Sequence, residues 1–213
     1  MHENLRRLAR AAKVEVGALA TVSQVHGLVM LRAPGGGGEQ VVPPLGEADA
    51  IWTSAPGVAV GVKTADCVPV LIEDRRTGAV AAVHAGWRGV IGKLVQVAVT
   101  TLCAAGTTPD QLRVAVGPCI QRCCFEVDGD LPTRFSEAFG AQVVVRPEGK
   151  AKAHLDLPWA LGRTLEAAGI AASNVDVRPE CTRCDARFFS HRRDRGLTGR
   201  HLSFITCVGA SAL

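Results

Sequence analysis

Apolar positions recur along this chain in two rhythms, and the changes between them mark most of its elements. Leu5, Leu8, Ala9 and Ala12 keep helical spacing, so residues 3–13 are expected to form an amphipathic helix. Ala20 to Val25 reads as a strand ending at His26, and Val29 to Arg32 as a second strand pairing with it across Gly27. Pro34 and Gly35–Gly38 read as plain linker. No Lys-Ser/Thr pair follows them and no long strand leads in, so this is not a phosphate-cradling loop.

Val58 to Val62 leads into the corner Thr64-Ala65-Asp66-Cys67, and Val68 to Ile72 continues as a strand. After the turn Arg75-Arg76-Thr77-Gly78, Ala79 to Val83 is a buried strand that delivers His84. Ile91, Leu94, Val95, Ala98 and Leu102 share one face of a long helix that Gly106 stops. Further strands are expected at 112–116, 143–146, 175–178 and 202–208, and helices at 130–139 and 158–168. Strands and helices mix without regular alternation. That predicts an α+β fold, one domain over residues 1–213, with mixed β-sheets flanked by helices.

With 213 residues, 47% of them hydrophobic, the chain has material for a substantial core. No apolar run reaches the roughly 18 residues of a membrane span, and the N-terminus has no apolar signal core. A cytoplasmic protein without a membrane partner is expected. The formal charge of +4 is mild, and Arg187 to Arg200 is the only dense basic run. No Tyr, six Phe and three Trp offer little surface for stacking bases. The basic run is therefore expected to meet a small anion such as phosphate, and no nucleic acid. A monomer or a small homo-oligomer is expected.

Eight cysteines in such a chain argue for metal or redox chemistry over a disulfide framework. Cys103, on a helical stripe, and Cys207, in the last strand, read as packing residues. Cys67, His26 and His84 each end a strand-like run, and two imidazoles with one thiolate make an open zinc set with room for water or substrate. Their long separations do not by themselves specify metal. Gly27, Gly86 and Gly89 would let the backbones approach closely. Asp66 either orients an imidazole or forms an Asx-type turn at the corner. A metal-free rival uses Cys67 as nucleophile and His84 as its base, which would leave His26 without a role.

A second group joins Cys119, Cys123 and Cys124 to Cys181 and Cys184. Its spacing permits a structural zinc, but adjacent Cys123 and Cys124 would point to opposite faces of a strand, so ordinary thiols are the expected reading. The chain has no G-x-S-x-G elbow, no H-E-x-x-H helix and no H-x-E partner for a deaminase-type Cys pair. Phe188-Phe189-Ser190-His191-Arg192-Arg193 reads as an aromatic strand running into a basic loop, with one of the two phenyl rings in the core and one free to face a purine. Arg88, beside His84, is a further candidate anion clamp.

Together, the blocks QVHG (24–27), TADCVPVL (64–71), AAVHAGWRG (81–89), GPCIQRCCFEV (117–127) and CT, FFSHRRD and TGR (181–200) resemble the YfiH/YlmD family. Its members are zinc-dependent purine nucleoside phosphorylases formerly labelled polyphenol oxidases or laccase-like proteins. The resemblance implies one Zn²⁺ on His26, Cys67 and His84, which would also be the catalytic residues. It implies phosphorolysis of adenosine, inosine and S-methyl-5′-thioadenosine, with accompanying adenosine deamination. Arg88, Ser190, Arg192 and Arg193 would then bind substrate and phosphate, and Asp66 would support the ligands. Zinc is expected in preference to copper, because no Met stands near the motifs as an axial ligand.

The chain departs from the family pattern at its start. Family members carry a further segment before the opening helix, with T-x-R-x-G-G and S-x-N-L stretches, which would contribute a wall of the pocket. His191 also stands where an aromatic residue is commoner. Two other functions remain open at this stage. One is a metal- or Cys/His-dependent hydrolase of another small molecule, such as a cell-wall precursor; the other is a catalytically silent zinc-binding protein.

Overall fold

The strand Val80–Ala85 is buried at every position, and layers on both of its faces keep water away. The computed structural model describes residues 2–12, 14–38, 40–149 and 151–209. In chain order the elements are α1 (His2–Ala12), β1 (Leu19–Thr21), β2 (Met30–Arg32), β3 (Ala50–Thr53), β4 (Ala59–Thr64), β5 (Val68–Asp74) and β6 (Val80–Ala85). Then come α2 (Trp87–Ile91), α3 (Leu94–Ala104), β7 (Leu112–Val116), β8 (Glu126–Val127) and α4 (Leu131–Phe139). The remainder are β9 (Val144–Val145), β10 (Ala153–Leu155), α5 (Leu157–Ala167), β11 (Val175–Val177) and β12 (His201–Thr206).

A six-stranded mixed sheet runs in the order β11-β7-β5-β6-β3-β2. A three-stranded sheet, β1-β4-β12, and a small sheet, β8-β10-β9, accompany it. Alternation along β6 sorts its side chains between two cores. Ala81, Val83 and Ala85 pack with Leu94, Val95, Ala98 and Leu102 of α3 and with α5. Val80 and Ala82 pack with Val60 and Val62 of β4. His84 shares the parity of Val80 and Ala82, so it faces the layer that holds β4. Each Leu or Val fully buried in these cores stabilises by about 1.5–3 kcal/mol relative to exposure. The result is a single domain of mixed sheets and helices, as the patterning predicts.

The expected pairing of the second and third elements across Gly27 does not form. β1 runs parallel to β4, with Leu19 opposite Ala59, and β2 runs parallel to β3, with Met30 opposite Ala50. Between them the backbone N–H groups of Val25, His26 and Gly27 all donate to the carboxylate of Asp49, so they cannot build a ladder. The long helix also divides. Lys93 lies in the left-handed region at φ 59°, separating α2 from α3. Gly92 lets the chain pass close to Leu28, where a Cβ would come within 2.6 Å of Cδ2.

The expected helix over 3–13 is α1, with residue 13 outside the described residues. The strand expected at 143–146 shrinks to β9, and three short strands, β3, β8 and β10, escape the periodicity altogether. Cys103 packs against the larger core. Cys207 is buried just beyond β12, where its N–H donates to Val58.

Candidate metal centre and its cleft

The β5/β6 ladder sets the site. Pro69 stands opposite His84 and Val68 opposite Ala85, so one step further places Cys67 beside Gly86. Both residues lie at the edge of the layer that holds β4, and the segment 22–28 closes over them from the side. Gln24 anchors that segment: its amide donates to the Lys63 carbonyl at 2.6 Å and accepts from the Lys63 N–H at 2.7 Å. A side-chain amide thus imitates a strand partner for β4. His26 follows with φ 59°, a conformation that turns its ring toward Cys67 and His84. The donor atoms of His26, Cys67 and His84 all lie within 4.8 Å of one another.

Gly86 is the glycine this convergence requires. A Cβ there would stand 2.8 Å from His26 Nδ1 and 3.2 Å from Cys67 Sγ. Gly27 and Gly89 carry no such demand, since a Cβ on either would meet only ordinary contacts of 3.5 Å or more. The left-handed strain falls on His26 itself.

One carboxylate organises both imidazoles, and it is Asp49. Completely buried, it accepts from Val25 N at 3.2 Å, His26 N at 2.9 Å and Gly27 N at 2.6 Å. Its Oδ1 also accepts from His84 Nδ1 at 2.7 Å. That bond fixes the His84 tautomer and leaves Nε2 as the free donor atom. Sequence reasoning missed Asp49. The available signal was a lone acid inside the apolar run Ala48-Asp49-Ala50-Ile51-Trp52, which has to find hydrogen-bond partners when buried.

Asp66, expected beside an imidazole, serves elsewhere. At φ 87° it forms the corner after β4, where Oδ1 accepts from Thr182 Oγ1 and Oδ2 from Arg192 N, each at 2.6 Å. It ties the basic loop to the edge of the site.

Burial holds His84 below the ordinary imidazole pKa, with the nearby His26 adding to the effect, against the opposing pull of Asp49. The neutral ring is the form that ligates metal. The Cys67 thiol is pushed up to about 12, first by burial and then by the charges of Asp66 and Asp49, with Arg200 opposing. A hydrolase nucleophile needs thiolate near neutral pH. This environment works against a metal-free Cys67–His84 dyad, whereas a cation on the sulfur would offset both causes.

The three donors open onto a cleft of about 480 Å³. Lys63, Arg192 and Arg200 line it, with His191 and Phe125. Of the residues expected to bind substrate, Arg192 is there, its Nη1 donating to the Glu126 carbonyl and its guanidinium 5.6 Å from the Phe125 ring. The other three are not. Arg88 stacks on Trp87 at 4.2 Å, outside the lining. Ser190 is fully buried and accepts from Arg193 N at 3.1 Å. Arg193 turns its guanidinium inward to the carbonyls of Thr182, Asp185 and Phe188 and to Asp194. These side chains hold the loop in shape.

No strand forms at Phe188-Phe189-Ser190, where an aromatic strand was expected. Phe188 and Phe189 both pack against His201, with ring centroids at 5.5 and 5.1 Å. The ring facing the cleft belongs to Phe125. Lys63 and Arg200 supply the charge that sequence reasoning assigned to Arg88 and Arg193, because only the β4/β12 register, with His201 opposite Thr64, brings them to the site.

A family model described as multi-copper polyphenol oxidoreductase laccase matches residues 1–208. Over 148 residues, 68% of the chain, it is 42% identical to adenosine deaminase RL5 from an unknown prokaryotic organism, and it spans 56% of that protein. Over 198 residues, 93% of the chain, it is 37% identical to a purine nucleoside phosphorylase of Deinococcus radiodurans and spans 74% of that protein. Among solved structures, the Bacillus licheniformis hypothetical protein YfiH superposes with a TM-score of 0.88 at 28% identity, covering 96% of this chain and 79% of its own.

Proposed function

The chain belongs to the YfiH-like family described as multi-copper polyphenol oxidoreductase laccase, and on that basis we propose that it is a zinc-dependent purine nucleoside phosphorylase. Its substrates would be adenosine, inosine and S-methyl-5′-thioadenosine with phosphate, and adenosine would also be deaminated. One observation carries the reading: a two-imidazole, one-thiol donor set faces a wall of Lys63, Arg192 and Arg200 across a cleft of nucleoside size.

The donor set fits zinc in softness and number, and the His84 tautomer fixed by Asp49 presents Nε2 as a ligand. His26, Cys67 and His84 would hold the ion, with the open side toward the cleft. Copper of the blue type commonly takes an axial thioether, and no Met is among the residues lining the cleft. When bound, zinc supplies a Lewis acid that lowers the pKa of water to about 7, the chemistry that deamination needs.

Phosphorolysis rests on the chain's own groups. Arg192 and Arg200 are planar forks suited to phosphate oxygens, and Lys63 adds a compact charge beside them. They would hold phosphate against the sugar carbon that it attacks as the glycosidic bond breaks. Their charge would also offset the charge that builds on the departing purine. Phe125 offers a face for the base, and Gln24 keeps the segment carrying His26 in position. The eight free thiols support a reducing, cytoplasmic setting.

Incubation with inosine tests the proposal. Free hypoxanthine that appears only when phosphate is present identifies a phosphorylase, while release without phosphate identifies a hydrolase acting in its place. No product from zinc-loaded protein would leave a silent metal binder. Chelation should abolish turnover and added Zn²⁺ restore it; full activity with normal zinc content in Cys67→Ala would overturn the ligand assignment.

A further inference from the structure

Behind the cleft, two turns bring four thiols together. Residues 122–124 form a turn, with Cys124 N and Phe125 N both donating to the Gln121 carbonyl at 2.9 Å. Residues 182–184 form another, with Asp185 N donating to the Cys181 carbonyl at 3.0 Å. A parallel bridge between Cys119 and Cys181 sets the two turns side by side. In a strand, adjacent Cys123 and Cys124 would point apart, which argued against a shared ligand. In this turn their sulfurs stand 3.6 Å from each other.

We propose that Cys123, Cys124, Cys181 and Cys184 form a structural zinc site, distinct from His26–Cys67–His84. All four sulfurs lie within 4.8 Å of one another. Cys184 Sγ is 3.7 Å from Cys123 Sγ and 3.3 Å from Cys124 Sγ. Four thiolates around zinc at about 2.3 Å have sulfur-to-sulfur edges of about 3.8 Å, so the cluster already approximates the required tetrahedron. A disulfide would explain one close pair, but here three sulfurs are near-equidistant with a fourth at hand. Multi-iron clusters spread their thiolates around a larger inorganic core. A compact, closed, all-sulfur set suits zinc.

The surroundings suit bound thiolates. Gln121 N donates to Cys181 Sγ at 3.4 Å. Arg183, between Cys181 and Cys184 in the chain, brings a positive charge beside the negative charge that a tetrathiolate centre would carry. The Nδ1–H of His154 donates to the Arg122 carbonyl at 2.8 Å and steadies the first turn. Cys124 and Cys181 are buried and Cys123 and Cys184 exposed, so an ion can enter from solvent.

This staple would act on the cleft through Asp66. Ile120 N donates to the Asp66 carbonyl at 2.9 Å, and Thr182 Oγ1 donates to its carboxylate. Ile120 and Phe125, both at the cleft, flank the cysteine turn. Zinc in the cluster would therefore fix the floor of the cleft without touching substrate.

Metal counting on the whole purified chain tests the site. Wild type should carry about two zinc ions, Cys184→Ser about one, and His26→Ala/His84→Ala about one. X-ray absorption of zinc-loaded His26→Ala/His84→Ala should show sulfur alone at about 2.3 Å. That measurement needs no substitution in the cluster, so it holds even if Cys184→Ser folds poorly. The proposal fails if His26→Ala/His84→Ala holds no zinc, if the ion found is iron, or if peptide mapping finds a disulfide within the four. Loss of the triad metal alone would count against the phosphorylase reading and leave this site standing.

Discussion

Asp49 concentrates more of the site in one side chain than any of the donors does. It accepts three successive backbone N–H groups and one imidazole N–H while fully buried. Asp49→Asn keeps the shape but replaces an acceptor-only group with one that also donates. Zinc affinity, read by competition with a chromogenic chelator, should drop by about 10–100-fold. Gly86→Ala should be as harmful to metal content for another reason, because its methyl would overlap His26 Nδ1; circular dichroism should stay native while zinc per chain falls. At this scale the donors were legible and their supports were not. His26, Cys67 and His84 stand out because imidazole and thiol at strand ends are rare choices. An acid beside a strand is commonplace until its four partners are seen.

Elements explain why some readings missed. The rhythm of β4 to β7 was plain because each runs through a core. The segment 22–29 has equally strand-like residues but no strand, because a side chain took its hydrogen bonds. Similarly, the apolar stripe from Ile91 to Leu102 gave no sign that the backbone bends at Lys93. A left-handed non-glycine residue costs about 1–2 kcal/mol, partly offset by the greater freedom that glycine has when unfolded. Lys93→Gly should raise stability by about 0.5–1 kcal/mol in urea unfolding, whereas Lys93→Val should lower it. The vicinal cysteines teach the same lesson: a rule for strands was applied to what is a turn.

For the whole molecule, fold class was readable and topology was not. The mixture of short strands and helices implied mixed sheets, but nothing local says that β4 pairs with β1 and β12 or that Lys63 and Arg200 thereby face the donors. Metal-free stability should have a limited pH window. His84 is held below 6.5, so the unfolded chain binds more protons as pH falls through that value, and stability present above it is lost. Cys67 keeps its proton to about 12, while the unfolded thiol ionises from 9.0, so stability complete below 9.0 declines as pH rises. Urea midpoints measured in chelator should fall at both ends, and Cys67→Ser should flatten the alkaline limb. Asp49 grips both the His26 backbone and the His84 ring, so two of the three donors are positioned by the protein's own hydrogen bonds. An ion captured there would meet donors already in place, and its binding would still have to displace the Cys67 proton. Affinity would then be decided by how slowly the ion escapes, with its residence time governed by one carboxylate that never touches it.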